Sequence, residues 1–156
     1  GLSPLHHLDP VGALMLLVFR FGWAKPVPVD PRYFKNPRRD MVLVSAAGVT
    51  GNFLTAIFFG MLARFFPGTF LAIPALRQFI FLMIVINIGL AVFNLIPIPP
   101  LDGSKLLYPL LPRFLLEKYF WLERYGFFVL MILLALGVVQ AIMGPVVMFF
   151  LRLILF

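Results

Sequence analysis

Phe93-Asn94-Leu95-Ile96-Pro97-Ile98-Pro99-Pro100-Leu101-Asp102-Gly103-Ser104-Lys105 ends a run that carries no charged side chain from Gln78 to Leu101. The front of that run is long and apolar enough to cross a hydrocarbon core of about 30 Å as a helix. Its tail is not helical, because Pro97, Pro99 and Pro100 remove backbone donors and crowd the preceding turn. The helix is expected to end between Phe93 and Ile96. The chain then turns at Asp102-Gly103, where glycine permits a tight turn, and a short helix runs from Ser104 to Leu111 until Pro112 stops it.

Working outward, the rest of the chain has the same character. Its 156 residues are 62% hydrophobic and 12% charged, with 19 Phe, and the mean hydropathy is +1.04. Soluble domains are about 45 to 50% apolar and about 25% charged, so both a water-soluble globule and a disordered chain are excluded. The expected fold class is an all-α polytopic membrane protein forming a single membrane-embedded domain over residues 1-156. With no Cys, a disulfide framework, a thiolate metal site and a cysteine nucleophile are excluded as well.

Met41 to Ala63 is uncharged and forms the first full span (41-63). Before it, Pro10 to Phe19 is apolar but bounded by Asp9 and Arg20, too short to cross unaided. It reads as a re-entrant or tilted helix with Asp9 and Pro10 at its start. Pro26, Pro28 and Pro31 make the following stretch extended, placing a Pro-rich interfacial segment within residues 1-40. The second span is expected over 76-96, with the turn and short helix over 97-112. Residues 113-124 alternate charges with aromatics like an interfacial segment. Residues 125-156 form a kinked span or a helix hairpin broken at Gly144-Pro145.

Basic residues cluster in two places, at Arg20, Lys25, Arg32, Lys35, Arg38 and Arg39, and at Lys105, Arg113, Lys118 and Arg124. They flank apolar segments and form no continuous basic face, so the net charge of +7 points to membrane topology and not to nucleic acid. Placing both clusters on the cytoplasmic side of a plasma membrane leaves Arg64 and Arg77 outside. The Asp102 turn then faces inward.

An ionisable residue next to membrane segments is a functional candidate. Asp102 is the leading case, with two open readings: an N-cap for the helix that follows or a site carboxylate. Asn94 is either a hydrogen-bonding brace between helices or a donor to a substrate carbonyl or oxyanion. Asn52 lies in a stripe, Gly48, Asn52, Ala56 and Gly60, that allows close helix approach, and reads as bracing. Gln140 is a weaker case of the same kind. His6 and His7 are adjacent and point to different faces, so they do not make a chelating pair.

The stretch from Phe93 to Lys105 closely resembles the third-helix signature of site-2 proteases, intramembrane zinc metalloproteases of the M50 peptidase type. His7-Leu8-Asp9-Pro10-Val11-Gly12, Gly22 to Val29, Asn36-Pro37-Arg38-Arg39-Asp40 and Leu122-Glu123-Arg124-Tyr125-Gly126 are similar to the compact prokaryotic branch without a PDZ domain. The resemblance implies a site-2-protease-like bundle with a zinc ion bound by two His of a His-Glu-x-x-His helix and by the Asp of the Leu-Asp-Gly turn. The Glu would act as general base on a metal-bound water. On this sequence Asp102 matches the third zinc ligand and Asn94 the residue that steadies the substrate backbone. Asn52 matches the Asn of the Gly-Pro-x-x-Asn element, with Val49 in place of Pro, and Gly103 supports the turn. The family's His-Glu-x-x-His helix is expected just upstream of Gly1, and these 156 residues contain no such motif.

Two functions follow. One is an intramembrane zinc protease acting on transmembrane-helix substrates, inactive as these residues alone. The other is a non-catalytic scaffold among neighbouring membrane subunits. A transporter is disfavoured, since no residue besides Asp102 would line a polar path.

Overall fold

The computed structural model describes residues 37–156. The expected re-entrant helix, the Pro-rich segment and His6 and His7 lie outside the described residues. Among the described residues six helices follow one another: α1 (Pro37–Phe65), the single turn α2 (Pro67–Phe70), α3 (Pro74–Asn94), α4 (Asp102–Leu107), α5 (Leu116–Ala135) and α6 (Val138–Leu155). Short 3₁₀ turns at Tyr108–Leu110 and Arg113–Leu115 join α4 to α5. No strand is present among the described residues.

Local chemistry sets the helix limits. Pro67 and Pro74 stand in the first helical turns of α2 and α3, where a missing N–H costs nothing. In α1, Asp40 lies in the first turn and Arg64 in the last, each complementing the helix dipole. Arg39–Phe65, Pro74–Asn94 and Val138–Leu155 are each long and apolar enough to cross a membrane. At about 1.5 Å per residue, the 21 residues of α3 match a hydrocarbon core of about 30 Å.

α3 is the inner helix. Half of its most apolar stretch is buried, against 17% for α1 and 11% for α6. Ile80, Ile84, Ile88 and Val92 recur every four residues and so share one face. They join Ala56 of α1, Leu130 and Leu134 of α5, and Val139 and Met143 of α6 in a common core. α1 packs along α3, α6 covers both, and α4 rests on α1. Large apolar side chains such as Phe58, Phe128, Ile132, Phe149 and Leu153 face outward, as lipid-facing positions require.

One break differs from expectation. Leu116 to Ala135 form one continuous helix, so the stretch of charges and aromatics runs on into the apolar second half through Gly126, which a helix interior tolerates at a cost of about 1 kcal/mol. The break in the last third falls at Leu136-Gly137, where Gly137 adopts φ 77°, and not at Gly144-Pro145. Pro145 sits inside α6, and a proline within an apolar helix is tolerated when neighbouring groups satisfy the freed backbone. Gln140 serves the true break by donating from Nε2 to the Leu134 carbonyl at 3.1 Å, which caps the end of α5.

Candidate functional site

After α3 the chain cannot continue its hydrogen-bond ladder, since Pro97, Pro99 and Pro100 have no N–H to give. It descends through single turns instead: Ile96 N–H donates to Phe93, Ile98 to Ile96, Leu101 to Ile98 and Ser104 to Leu101. The Pro99–Pro100 bond is cis. Leu101 is buried and anchors the end of the descent. Gly103 follows, and a Cβ there would collide with the carbonyls of Leu95 and Ile96. Only glycine lets the start of α4 fold back against the end of α3. Ser104, also buried, closes the turn by donating from Oγ to the Leu101 carbonyl at 2.7 Å.

Asp102 is the first residue of α4, and Leu101 occupies the N-cap position with no side-chain cap hydrogen bond. Its carboxylate is therefore not serving as the cap. It faces α1 instead. A Cβ placed on Gly48 would stand 3.7 Å from its Oδ2, and the buried hydroxyl of Ser45 is its hydrogen-bond partner. Burial pushes the Asp102 carboxyl above the usual carboxylate range, opposed by the Lys105 charge and the Ser45 hydroxyl.

Of the other sequence candidates, Asn94 ends α3 and donates from Nδ2 to the Leu90 carbonyl of its own helix at 2.9 Å. Asn52 lies one turn beyond Gly48 on α1, half-buried. The far end of its stripe packs as expected: Ala56 is fully buried and Gly60 meets the side chain of Ile154 of α6. A cleft of about 590 Å³ lined by Pro99, Pro100, Ser104, Lys105, Tyr108 and Tyr119, among others, abuts the turn, and Asp102 is not in its lining.

Three polar residues went unnoticed in the sequence. Ser45 shares the face of Val49 and Asn52, a spacing that was available to be read. Asn87 is buried in α3 and satisfied internally by the Met83 carbonyl at 2.8 Å. Tyr119 donates its phenol hydrogen to the Ser104 carbonyl at 3.1 Å, a buried bond spanning 15 positions. No local pattern announces that bond.

A tetrahedral zinc site takes at least three protein donors. Among the described residues no group of three His, Cys, Asp or Glu converges. Asp102 suits one ligand position, being a carboxylate steadied by a hydroxyl, but these residues do not by themselves constitute a zinc site. No chemical step through a metal follows from them.

Among the described residues, three apolar spans, with a carboxylate held against the flank of one of them at a proline-rich break, define a polytopic α-helical membrane protein. The sequence model of “Peptidase family M50” matches residues 68–137, a stretch that holds α3, Asn94 and the Asp102 turn. Over 157 aligned residues the chain is 39% identical to “Putative zinc metalloprotease YwhC” of Bacillus subtilis (strain 168), covering 92% of this chain and 68% of that protein. The chain belongs to peptidase family M50, the site-2 protease family. No solved structure matches it significantly.

Proposed function

We propose that this chain acts in intramembrane proteolysis of membrane-spanning substrates, with Asp102 as a zinc-ligating carboxylate and Asn94 as a group that steadies the substrate backbone. The observation that carries the reading is the orientation of Asp102. A carboxylate partly buried against apolar helices is costly, and here it leaves the capping role unfilled to face Ser45 and Gly48 of a spanning helix. Among the described residues the Asn94 amide is engaged through one Nδ2–H, to Leu90, and its NH2 carries a second hydrogen that can donate to a substrate. Asn52 braces the same face of α1, and Gly103 supports the turn.

The two zinc-binding His and the catalytic Glu of the family are absent from these 156 residues. The 156-residue polypeptide alone is therefore expected neither to retain stoichiometric zinc nor to hydrolyse peptides. The second reading is a non-catalytic M50-like subunit within a membrane assembly. A coding sequence upstream of Gly1 containing His-Glu-x-x-His eliminates the subunit reading. The charge distribution supports a prokaryotic plasma membrane with the Asp102 turn on the cytoplasmic side: Arg38, Arg39, Lys105, Arg113, Lys118 and Arg124 flank that end of the spans.

The test is cleavage of a membrane-spanning substrate by the full-length protein in proteoliposomes, with zinc content measured in parallel. Asp102→Ala is expected to abolish cleavage and lower zinc occupancy. Asn94→Ala is expected to slow turnover by roughly 100-fold, the scale of one lost oxyanion donor, with zinc retained. Undiminished cleavage by the Asp102→Ala protein would refute the ligand assignment.

A further inference from the structure

α4 has six residues, well below the roughly 12 to 15 at which a helix becomes marginally stable on its own in water. Its position is thus set by what it is tied to, and Asp102 goes where α4 goes. Two of the ties come from neighbouring sequence: Gly103 pressed on the Leu95 and Ile96 carbonyls, and Ser104 Oγ bonded to Leu101. The third comes from another helix. The Tyr119 hydroxyl of α5 donates to the Ser104 carbonyl at 3.1 Å, the same oxygen that accepts the Tyr108 N–H and so carries the closing bond of α4.

This bond is shielded, with Ser104 only 2% and Tyr119 9% exposed, so water competes weakly for either partner. The ring is placed by its neighbours, lying 5.0 Å from Tyr108 and 6.0 Å from Phe120 between centroids. Farther along α5, Gly126 lets the helix backbone meet the Pro99 carbonyl. α5 therefore touches the turn on both sides of Asp102 in sequence, at Pro99 and at Ser104, and Tyr119 makes a buried polar tie there.

We propose that Tyr119 is a positioning residue for Asp102: its hydroxyl, by holding the Ser104 carbonyl, fixes the first turn of α4 and with it the direction in which the Asp102 carboxylate is presented beside Gly48 and Ser45. The proposal rests on the reading of Asp102 as a functional carboxylate. Tyr119 bonds the backbone two residues beyond Asp102, and takes no part in making or breaking a bond in substrate.

Ring and hydroxyl have separable roles, which makes the proposal testable in the full-length protein in proteoliposomes. Tyr119→Phe keeps the ring packing and removes the bond, whereas Tyr119→Leu removes both. Three quantities are read: amide hydrogen exchange over residues 102 to 108, kcat and KM on a membrane-spanning substrate, and the thermal midpoint. For Tyr119→Phe, exchange in that segment should quicken roughly five- to tenfold, the scale of one hydrogen bond. kcat should fall by a similar factor with KM within about twofold, since the effect lies on orientation and not on uniform binding, and the midpoint should stay near that of the parent. Tyr119→Leu should show the same defects with a lowered midpoint. A Tyr119→Phe protein matching the parent in exchange or in kcat overturns the proposal and leaves Tyr119 a packing residue. Failure of the functional reading shows elsewhere, as full cleavage by the Asp102→Ala protein.

Discussion

Between Ile80 and Phe93, α3 repeats one backbone hydrogen bond turn after turn and buries Ile80, Ile84, Ile88 and Phe93 against three neighbouring helices. Between Leu95 and Leu101 the chain carries three prolines and makes single, unrepeated bonds, and the short α4 that follows lets two backbone segments touch at Gly103 and leans on Tyr119 from α5. The first region derives its order from a local pattern reinforced by burial, so its stability is spread over many interchangeable contacts. The second derives it from a few specific ties, none of which the others can replace. A carboxylate that must point in one direction suits such a junction, where the ladder of α3 has ended and that of α4 has only begun.

That difference predicts which substitutions unfold the protein and which disable only the turn. The largest loss of stability is expected inside α3. Phe93 is 2% exposed, and Phe93→Ala should cost about 4 kcal/mol through lost packing and a cavity that rigid neighbours cannot fill. Unfolding in mixed detergent micelles, followed by far-ultraviolet circular dichroism, measures it. A cost below about 1 kcal/mol would mean that α3 is not the core on which the other helices are assembled.

Next comes Gly103→Ala, which forces a Cβ into the Leu95 and Ile96 carbonyls. Backbone cannot swing aside as a side chain can, so the cost is expected near 2 to 3 kcal/mol. Its effect on the turn should exceed its effect on the fold: amide exchange over residues 95 to 108 should rise while α3 stays protected. Equal loss of protection in both regions would erase the distinction between them.

The two regions also differ in how far the sequence revealed them. The end of α3 was legible because the uncharged run from Gln78 meets three prolines, and the helix stops at Asn94 before them; which of its faces is buried was not read from the sequence. The irregular descent was readable for the same reason turned around, since three prolines forbid anything else. What holds the descent was not readable. Tyr119 and Ser104 are 15 positions apart, and Ser45 reaches Asp102 only because α4 folds back onto α1. Such contacts depend on tertiary placement that no local period encodes. The choice between cap and site for Asp102 was balanced in the sequence for the same reason, because both readings require the same Asp before the same Gly and differ only in where the carboxylate points.

The smallest expected effect concerns the one break that the sequence misplaced. Gly144-Pro145 carries the stronger local signal, yet α6 runs through it and the chain breaks at Gly137. A Cβ at either glycine meets nothing within 4 Å, so neither substitution introduces a clash and each reports on backbone conformation alone. At Gly137, with φ 77°, an alanine must adopt the left-handed conformation at a cost of about 1 to 2 kcal/mol. Asparagine there should cost less than alanine, because its side chain tolerates that region. At Gly144 the gain in helix propensity, about 0.5 to 1 kcal/mol, is opposed by crowding against the Pro145 ring, and Gly144→Ala should change stability by less than about 0.5 kcal/mol. The comparison is internal to one helix pair and needs no reference to activity. If Gly144→Ala proved the more destabilising, the break would lie at the proline after all, and the cap that Gln140 supplies to Leu134 would lose its purpose.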